Sequence, residues 1–209
     1  MRLFELNDIS FNEKIEIIKK NCSEILTIYK SSYPNVLWRG MNLLPFKKHE
    51  IKTRNNPVFF PKNYHELLHD ALLELDYKAT RKNSIFTSGN YDIAASWGEP
   101  QIVFPTNGFK YTWFSAVKKQ DYVISYLIDI LEETLLHINK ENIFNLNELN
   151  EDDRNNFLFD INQKLENLGI DDSALEIAIE EQKEVLITGK SYYVLPENDY
   201  ENLLNYLNK

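Results

Sequence analysis

The chain has 209 residues, of which 43% are hydrophobic and 13% aromatic, and its formal net charge is −9. This much core material excludes disorder along the whole chain, and the single cysteine, Cys22, excludes a disulfide framework and a cysteine-based zinc site. No apolar run reaches the ~18–20 residues of a membrane span, and acidic residues near the N-terminus argue against a signal peptide. We therefore expect a single domain over residues 1–209 that works in the cytoplasm, away from membranes.

Charge is distributed unevenly along the sequence. Residues 1–60 carry a net charge of +4, whereas residues 119–209 contain 7 basic and 20 acidic side chains, a net charge of −13. An acidic region of this kind disfavours broad contact with nucleic acid. It is either a solvated face or a docking surface for a basic protein partner.

The first half of the chain predicts helices and short strands around a long loop. Asn12 is a suitable cap for a helix that runs to about Lys30, and residues 35–40 read as an apolar strand that ends at a glycine. Residues 43–62 contain three prolines and no clear period, which predicts a long loop. The next elements are expected in the order helix 63–77, strand 84–89 and short helix 91–97.

The second half is predicted to begin with strands and to continue mainly as helices. After strands at 101–104 and 109–114, the apolar spacing predicts helices over 122–138, 152–168 and 173–181. Residues 115–180 therefore read as a mainly helical insertion. Residues 184–195 read as a strand pair or as one long strand, broken at Thr188-Gly189. With a final helix over 199–207, the pattern predicts an α+β fold with an N-terminal helix.

Three short segments combine strand patterning with chemically useful groups. Arg39 lies in an apolar strand, where its charge requires a carboxylate or an anionic ligand, and guanidinium groups suit phosphate oxygens. Thr87 and Ser88 place two hydroxyls at a strand end. Gln182 and Glu184 stand two residues apart at a strand start, so we expect them on one face. Each segment also has a structural alternative: an ion pair, an ordinary turn and a polar strand edge.

A metal site is not expected. His65 and His69 form an i,i+4 pair on a predicted helix, a spacing that can bind a metal ion. No third ligand stands at a suitable spacing, so we interpret both histidines as polar residues on a helix face.

In their order along the chain, the three segments resemble the mono-ADP-ribosyltransferase family in its Arg–Ser–Glu branch. Members carry an arginine on an early strand, as in Leu37-Trp38-Arg39-Gly40, and a Ser-Thr-Ser type of element, here Phe86-Thr87-Ser88. They also carry a late Gln/Glu-x-Glu before an apolar strand, here Gln182-Lys183-Glu184. The resemblance covers about residues 35–195, and the serine element is reduced to Thr87-Ser88-Gly89.

The resemblance implies a cleft between two separate antiparallel sheets that binds NAD as a substrate, without a metal. Glu184 would stabilise an oxocarbenium-like transition state, Ser88 or Thr87 would orient Glu184, and Gln182 would face the acceptor. Outside the motifs, Arg54 in the long loop and Arg81 before a strand are candidates to cover the phosphates. The residues expected to contact NAD are Arg39, Gly40, Arg54, Arg81, Phe86, Thr87, Ser88 and Trp97.

By this resemblance the chain is expected to transfer ADP-ribose from NAD to a macromolecular acceptor, a protein side chain or a nucleic acid. Phage and bacterial effectors or toxins are the expected setting. A glutamine at position 182 disfavours arginine as the acceptor. The alternatives are an NAD glycohydrolase that uses water as the acceptor, and a non-catalytic module of the same fold that docks a basic partner.

Overall fold

A computed structural model of the chain describes residues 9–55, 57, 60–118, 122–140 and 143–209. Its helices are α1 (Phe11–Asn21), α2 (Ser23–Ser31), α3 (Lys62–Glu74), α4 (Tyr91–Ser96), α5 (Val123–His137), α6 (Glu151–Asn167), α7 (Leu175–Glu180) and α8 (Tyr200–Leu207). Its strands are β1 (Trp38–Met41), β2 (His49–Glu50), β3 (Ile85–Ser88), β4 (Glu99–Pro105), β5 (Lys110–Phe114), β6 (Ile170–Asp171), β7 (Glu184–Thr188) and β8 (Ser191–Pro196). The α+β class is therefore confirmed.

All eight described strands lie in one sheet, in the order β2-β8-β4-β1-β3-β7-β5-β6, and every neighbouring pair is antiparallel. The expectation of two separate sheets is therefore wrong, because the strands form one continuous sheet. The junction at the centre is nevertheless narrow, because β1 and β3 pair only through Trp38 and Ser88. Each of these strands pairs with its other neighbour at four positions. One residue pair is thus enough to join two four-stranded halves.

The N-terminal helix differs from its prediction at both its start and its middle. Ser10, not Asn12, caps α1, and it forms a reciprocal capping box with Glu13. The predicted single helix is divided at Cys22, whose φ of −134° is not helical. Cys22 is buried, and its thiol donates to the carbonyl oxygen of Phe104 on β4 at 3.4 Å. Packing against the sheet therefore places a bend that helical periodicity does not reveal.

The buried hydrophobic residues form two cores. The first packs α1, α2, α7 and α8 against the strands, and the second is built mainly from α3, α5 and α6. Trp113 belongs to the first core and its neighbour Phe114 to the second, as expected from the alternation of side chains along β5. Among the described residues, no helix is both long and apolar enough to cross a membrane.

Candidate functional site

A cavity of about 640 Å³ opens beside the narrow junction between β1 and β3. This volume lies within the ~300–1,000 Å³ typical of small-molecule sites. Seven of the residues expected to bind NAD or to catalyse line it, together with two that were not expected. The lining residues are Arg39, Gly40, Arg54, Arg81, Phe86, Trp97, Tyr122, Ile124 and Glu184.

Arg39 occupies the place where pairing between β1 and β3 stops. The amide of Gly89 bonds to the carbonyl of Lys183, so the alternation of an antiparallel ladder turns the carbonyl of Phe86 away from β7 and toward β1. Nη1 of Arg39 donates to that carbonyl oxygen at 3.0 Å. Its buried Nε has no hydrogen-bond partner among the described residues. Arg39 therefore satisfies a backbone carbonyl of β3 through Nη1, and its Nε remains an unused donor.

Phe86 contacts the other two arginines of the cavity through its ring. The guanidinium carbon of Arg54 lies 4.2 Å from the ring centroid, and that of Arg81 lies 4.4 Å from it. Both distances are well within the ~6 Å of a cation–π contact. Phe86 thus holds all three arginines, two through its ring and Arg39 through its carbonyl group.

Both backbone polar groups of Arg54, its amide N–H and its carbonyl oxygen, are hydrogen-bonded. Its amide donates to the carbonyl of Lys82 at 2.7 Å, and Nε2 of His65 is hydrogen-bonded to its carbonyl oxygen at 2.9 Å. His65 is only 2% exposed and lies on α3. An irregular loop is in this way fixed firmly enough to present a side chain to the cavity.

The three guanidinium groups make the cavity electropositive. Burial, together with the charges of Arg39 and Arg81, lowers the pKa of Arg54 to about 10. Burial lowers the pKa of Arg81 to about 10 and also lowers the pKa of Arg39. Guanidinium groups remain charged at neutral pH, so these shifts indicate a cost that an anionic ligand would relieve.

Glu184 is the only carboxylate that lines this cavity in the described part of the chain. Burial raises its pKa, while the charges of Arg81 and Arg54 and a hydrogen bond from the backbone N–H of Val123 act in the opposite direction. Val123 is the first residue of α5, where the helix dipole also favours a negative charge. The arrangement places one carboxylate beside an excess of positive charge.

Two aromatic side chains, Trp97 and Tyr122, also line the cavity. The rings of Trp97 and Tyr122 lie 6.4 Å apart, and the hydroxyl groups of Tyr122 and Ser96 are hydrogen-bonded at 3.2 Å. Tyr122 is 43% exposed. These contacts connect the end of α4 to the start of α5.

Gly40 allows α4 to approach β1. A Cβ atom at this position would lie 1.7 Å from the carbonyl oxygen of Ala94. Gly40 lines the cavity as expected, but a glycine is needed there because α4 packs closely against β1.

Thr87 and Ser88 do not line the cavity. The hydroxyl of Thr87 is fully buried and donates to the carbonyl of Val185 at 2.9 Å, on the side of the first core. Ser88 is the cross-strand neighbour of Glu184, but its hydroxyl accepts a hydrogen bond from the amide of Asn90 at 3.0 Å. Within the described residues, neither hydroxyl is bonded to Glu184, so the expectation that one of them orients it is not met.

Gln182 does not share a strand face with Glu184, and that prediction is wrong. The amide of Gln182 bonds to the carbonyl of Ile179 and the amide of Lys183 to that of Ala178, which is the Schellman pattern at the end of α7. Gln182 takes the left-handed position of this motif, with φ +58°. Because glycine usually occupies that position, the sequence did not indicate it. Gln182 lines a second cavity instead.

The histidine pair has structural partners. His65 contacts the backbone of Arg54, and Nδ1 of His69 is hydrogen-bonded to the hydroxyl of Thr80 at 2.7 Å. In the ranges that the structure describes, no group of three His, Cys, Asp or Glu residues is placed to hold a metal ion.

Tyr122 and Ile124 are the lining residues that sequence reasoning missed. Both belong to the start of α5, which the apolar pattern predicted only as a helix. Their position depends on the contacts of the start of α5 with Ser96, Trp97 and Glu184, which lie far away in the sequence and which no local pattern encodes. In comparisons with known proteins, no family model, curated protein or solved structure matches this chain.

Proposed function

We propose that the chain is a mono-ADP-ribosyltransferase that binds NAD in the arginine-lined cavity and transfers ADP-ribose to a macromolecular acceptor. The observation that carries the proposal is the meeting of Glu184 with Arg39, Arg54 and Arg81 in one cavity. These four residues come from β7, β1, a loop and the segment before β3. Residues so far apart in the sequence converge on a single carboxylate in an electropositive site.

The charges suit the two parts of the substrate. NAD carries a diphosphate, and arginine side chains are the preferred partners of phosphate oxygens. With three guanidinium groups and one carboxylate, the cavity has a formal excess of two positive charges, which would balance the two negative charges of the diphosphate. The unused Nε atoms of Arg39 and Arg81 are donors that phosphate oxygens would satisfy.

In the proposed reaction the bond between the nicotinamide nitrogen and C1′ of its ribose breaks, and nicotinamide leaves with the bonding electrons. Positive charge develops on the ribose ring, as in glycoside hydrolysis. The carboxylate of Glu184 would stabilise that charge and bind the ribose 2′-hydroxyl. A nucleophilic atom of the acceptor then forms a bond to C1′, and the proton it carried passes to solvent water. Trp97 and Tyr122 offer ring faces for nicotinamide or adenine.

A glycohydrolase is the second candidate, and the position of Gln182 favours it. This is the residue expected to face the acceptor, yet it lines a different cavity from Glu184. If water takes the place of the acceptor, the same residues would release nicotinamide and free ADP-ribose.

The test is incubation of the purified protein with labelled NAD, alone and with a cell lysate, while nicotinamide release and macromolecular label are measured. We expect label on protein or nucleic acid in the lysate. Glu184→Gln should reduce turnover by several powers of ten, whereas Glu132→Gln, an exposed residue on α5, should not. A loss below about 30-fold, which corresponds to about 2 kcal/mol, would contradict the role of Glu184. Nicotinamide release without label would indicate the glycohydrolase.

A further inference from the structure

The second cavity, of about 380 Å³, lies at the junction of four connections. It is formed by the segment before β1, the turn between β3 and α4, the turn between α7 and β7, and the segment between β8 and α8. The lining residues are Asn35, Val36, Trp38, Gly89, Tyr91, Gln182, Glu197 and Tyr200. None of them lines the arginine cavity, so this is a separate candidate site.

Three aromatic rings are packed together in its wall. Trp38 meets Tyr91 in a T-shaped contact with centroids 5.2 Å apart, and it meets Tyr200 at 5.1 Å. The hydroxyl of Tyr200 donates to the carbonyl of Pro34 at 3.0 Å, which fixes that ring. Tyr91 is 38% exposed. Ring faces fixed in this way attract cations through the quadrupole of the π system.

A carboxylate stands at the edge of this aromatic group. Oε1 of Glu197 accepts a hydrogen bond from the hydroxyl of Tyr91 at 2.7 Å. Within the described residues, its other oxygen has no hydrogen-bond donor. Glu197 is exposed, so that oxygen is open to a ligand.

Carboxylate groups make the electrostatic potential around Tyr91 negative. The hydrogen bond to Glu197 raises the pKa of the Tyr91 hydroxyl, and burial and the charges of Glu197, Asp92 and Glu99 raise it further. The lining residues include no lysine or arginine. A phosphate-bearing ligand would therefore be repelled here, in contrast to the arginine cavity.

From these observations we infer that the second cavity binds the guanidinium group of an arginine side chain on a basic protein partner. A planar guanidinium group can stack on an aromatic ring while it donates to a carboxylate, which an ammonium group does less well. The acidic C-terminal region that contains Glu197 would add long-range attraction for such a partner. The inference goes beyond the proposed reaction and holds whether or not the arginine cavity takes NAD.

The test is a titration followed by the backbone amide NMR signals of Gly89, Tyr91 and Gln182. The probe is N-acetyl-arginine N-methylamide, and the matched control is the citrulline compound, which has the same shape without the charge. We expect saturable shifts with the arginine probe that are much weaker with citrulline. Glu197→Gln should weaken binding about fivefold, on the scale of one ion pair of about 1 kcal/mol, and Glu132→Gln should not.

Two variants separate the ring from the carboxylate. Tyr91→Leu removes a ring face and should also weaken the arginine probe, whereas Tyr91→Phe keeps the ring and should bind at least as well as the parent chain. The inference is overturned if the arginine probe produces no saturable shift, if citrulline binds equally, or if Glu197→Gln has no effect. None of these outcomes depends on turnover of NAD.

Discussion

At the scale of single residues, the surroundings of Glu184 act on its pKa in opposite directions. Burial raises its pKa, and Arg81, Arg54 and the N–H of Val123 lower it without cancelling the rise. A carboxyl group with a raised pKa binds its proton more tightly in the folded protein than in the unfolded chain. The cost of its charge to stability is therefore absent at acidic pH and fully present above the folded pKa.

We accordingly expect Glu184→Gln to raise the free energy of unfolding at neutral pH. The gain over the parent chain should shrink as the pH falls toward the ordinary glutamate value near 4.5. Urea unfolding of both proteins at pH 7 and at pH 4 measures this difference. A variant that is less stable at pH 7 would mean that attraction by the arginines outweighs burial.

Gln182 offers a second test at the residue scale, because a left-handed backbone favours glycine. A non-glycine residue in this conformation costs roughly 1–2 kcal/mol, which is partly offset by the greater freedom of glycine in the unfolded chain. We expect Gln182→Gly to be more stable than Gln182→Ala by about 1 kcal/mol, measured by urea unfolding. Equal stabilities would argue against the Schellman ending of α7.

The same pair of variants addresses the role of the Gln182 side chain. Both lack the amide group, so a shared loss of macromolecular labelling with normal nicotinamide release would assign Gln182 to acceptor recognition. Full labelling by Gln182→Gly would show that the residue is needed only to end the helix. The two variants differ in stability because of the left-handed backbone at this position. Labelling is therefore compared between samples that contain the same amount of folded protein.

At the scale of elements, the approach of α4 to β1 sets one side of the arginine cavity. It depends on Gly40, where a Cβ atom would lie 1.7 Å from a backbone oxygen. The obstructing atom belongs to the helix backbone, so it cannot rotate away as a flexible side chain could. The helix or the strand must move.

We expect Gly40→Ala to destabilise the fold by about 2–3 kcal/mol, the upper part of the range for overpacking. The control is Gly108→Ala, where a Cβ atom meets nothing within 4 Å and only the φ of +81° opposes the change. That variant should cost about 1 kcal/mol. Thermal or urea unfolding compares the two, and equal losses would mean that α4 can shift without cost.

The junction between β1 and β3 is the second feature of the fold at this scale. One residue pair joins the halves of the sheet, and the side chain of Arg39 replaces the next bond of the ladder. An arginine that lines the cavity thus also satisfies the backbone of Phe86. The sequence suggested either an ion pair or an anionic ligand for Arg39, but the partner in the structure is a backbone carbonyl oxygen, and the several donors of a guanidinium group leave others for a ligand.

At the scale of the whole molecule, the positive cavity lies in a chain with a net charge of −9. The buried guanidinium groups repel one another, so an anion that bridges them should stabilise the folded state. We expect inorganic pyrophosphate to raise the thermal unfolding midpoint. At 100 times its dissociation constant it should add about 2.7 kcal/mol to the free energy of unfolding.

Arg81→Gln should weaken pyrophosphate binding by about tenfold or more, since a charge-assisted hydrogen bond contributes about 1.5–3 kcal/mol. Lys110→Gln removes an equal charge from an exposed site on β5 and should leave binding unchanged. Similar effects of the two substitutions would indicate a general charge effect in place of a built site. Added salt should weaken binding less than it would at a fully exposed site.

The sequence by itself determined the order of the longer elements, because helical periodicity, alternating strands and breakers such as Pro and Gly act over a few neighbouring residues. It did not predict the two-residue strands β2, which lies in the predicted long loop, and β6. The sequence also indicated Arg39, because an arginine in an apolar strand needs a partner or a ligand, whereas Phe86 and Glu184 were indicated through the family resemblance. The tertiary structure decided which of these groups meet. It brought Arg54 and Arg81 to the ring of Phe86, and it turned Thr87 into the core.

The tertiary structure also placed Gln182 outside the cavity that Glu184 lines, and it placed Tyr122, at the start of α5, in the lining of that cavity. The physical reason is the same in each case. Which face a side chain takes depends on where a strand begins, and which helix covers that face depends on packing between segments distant in the sequence. Those contacts are set by the burial of two cores, a property of the folded chain that no short motif contains.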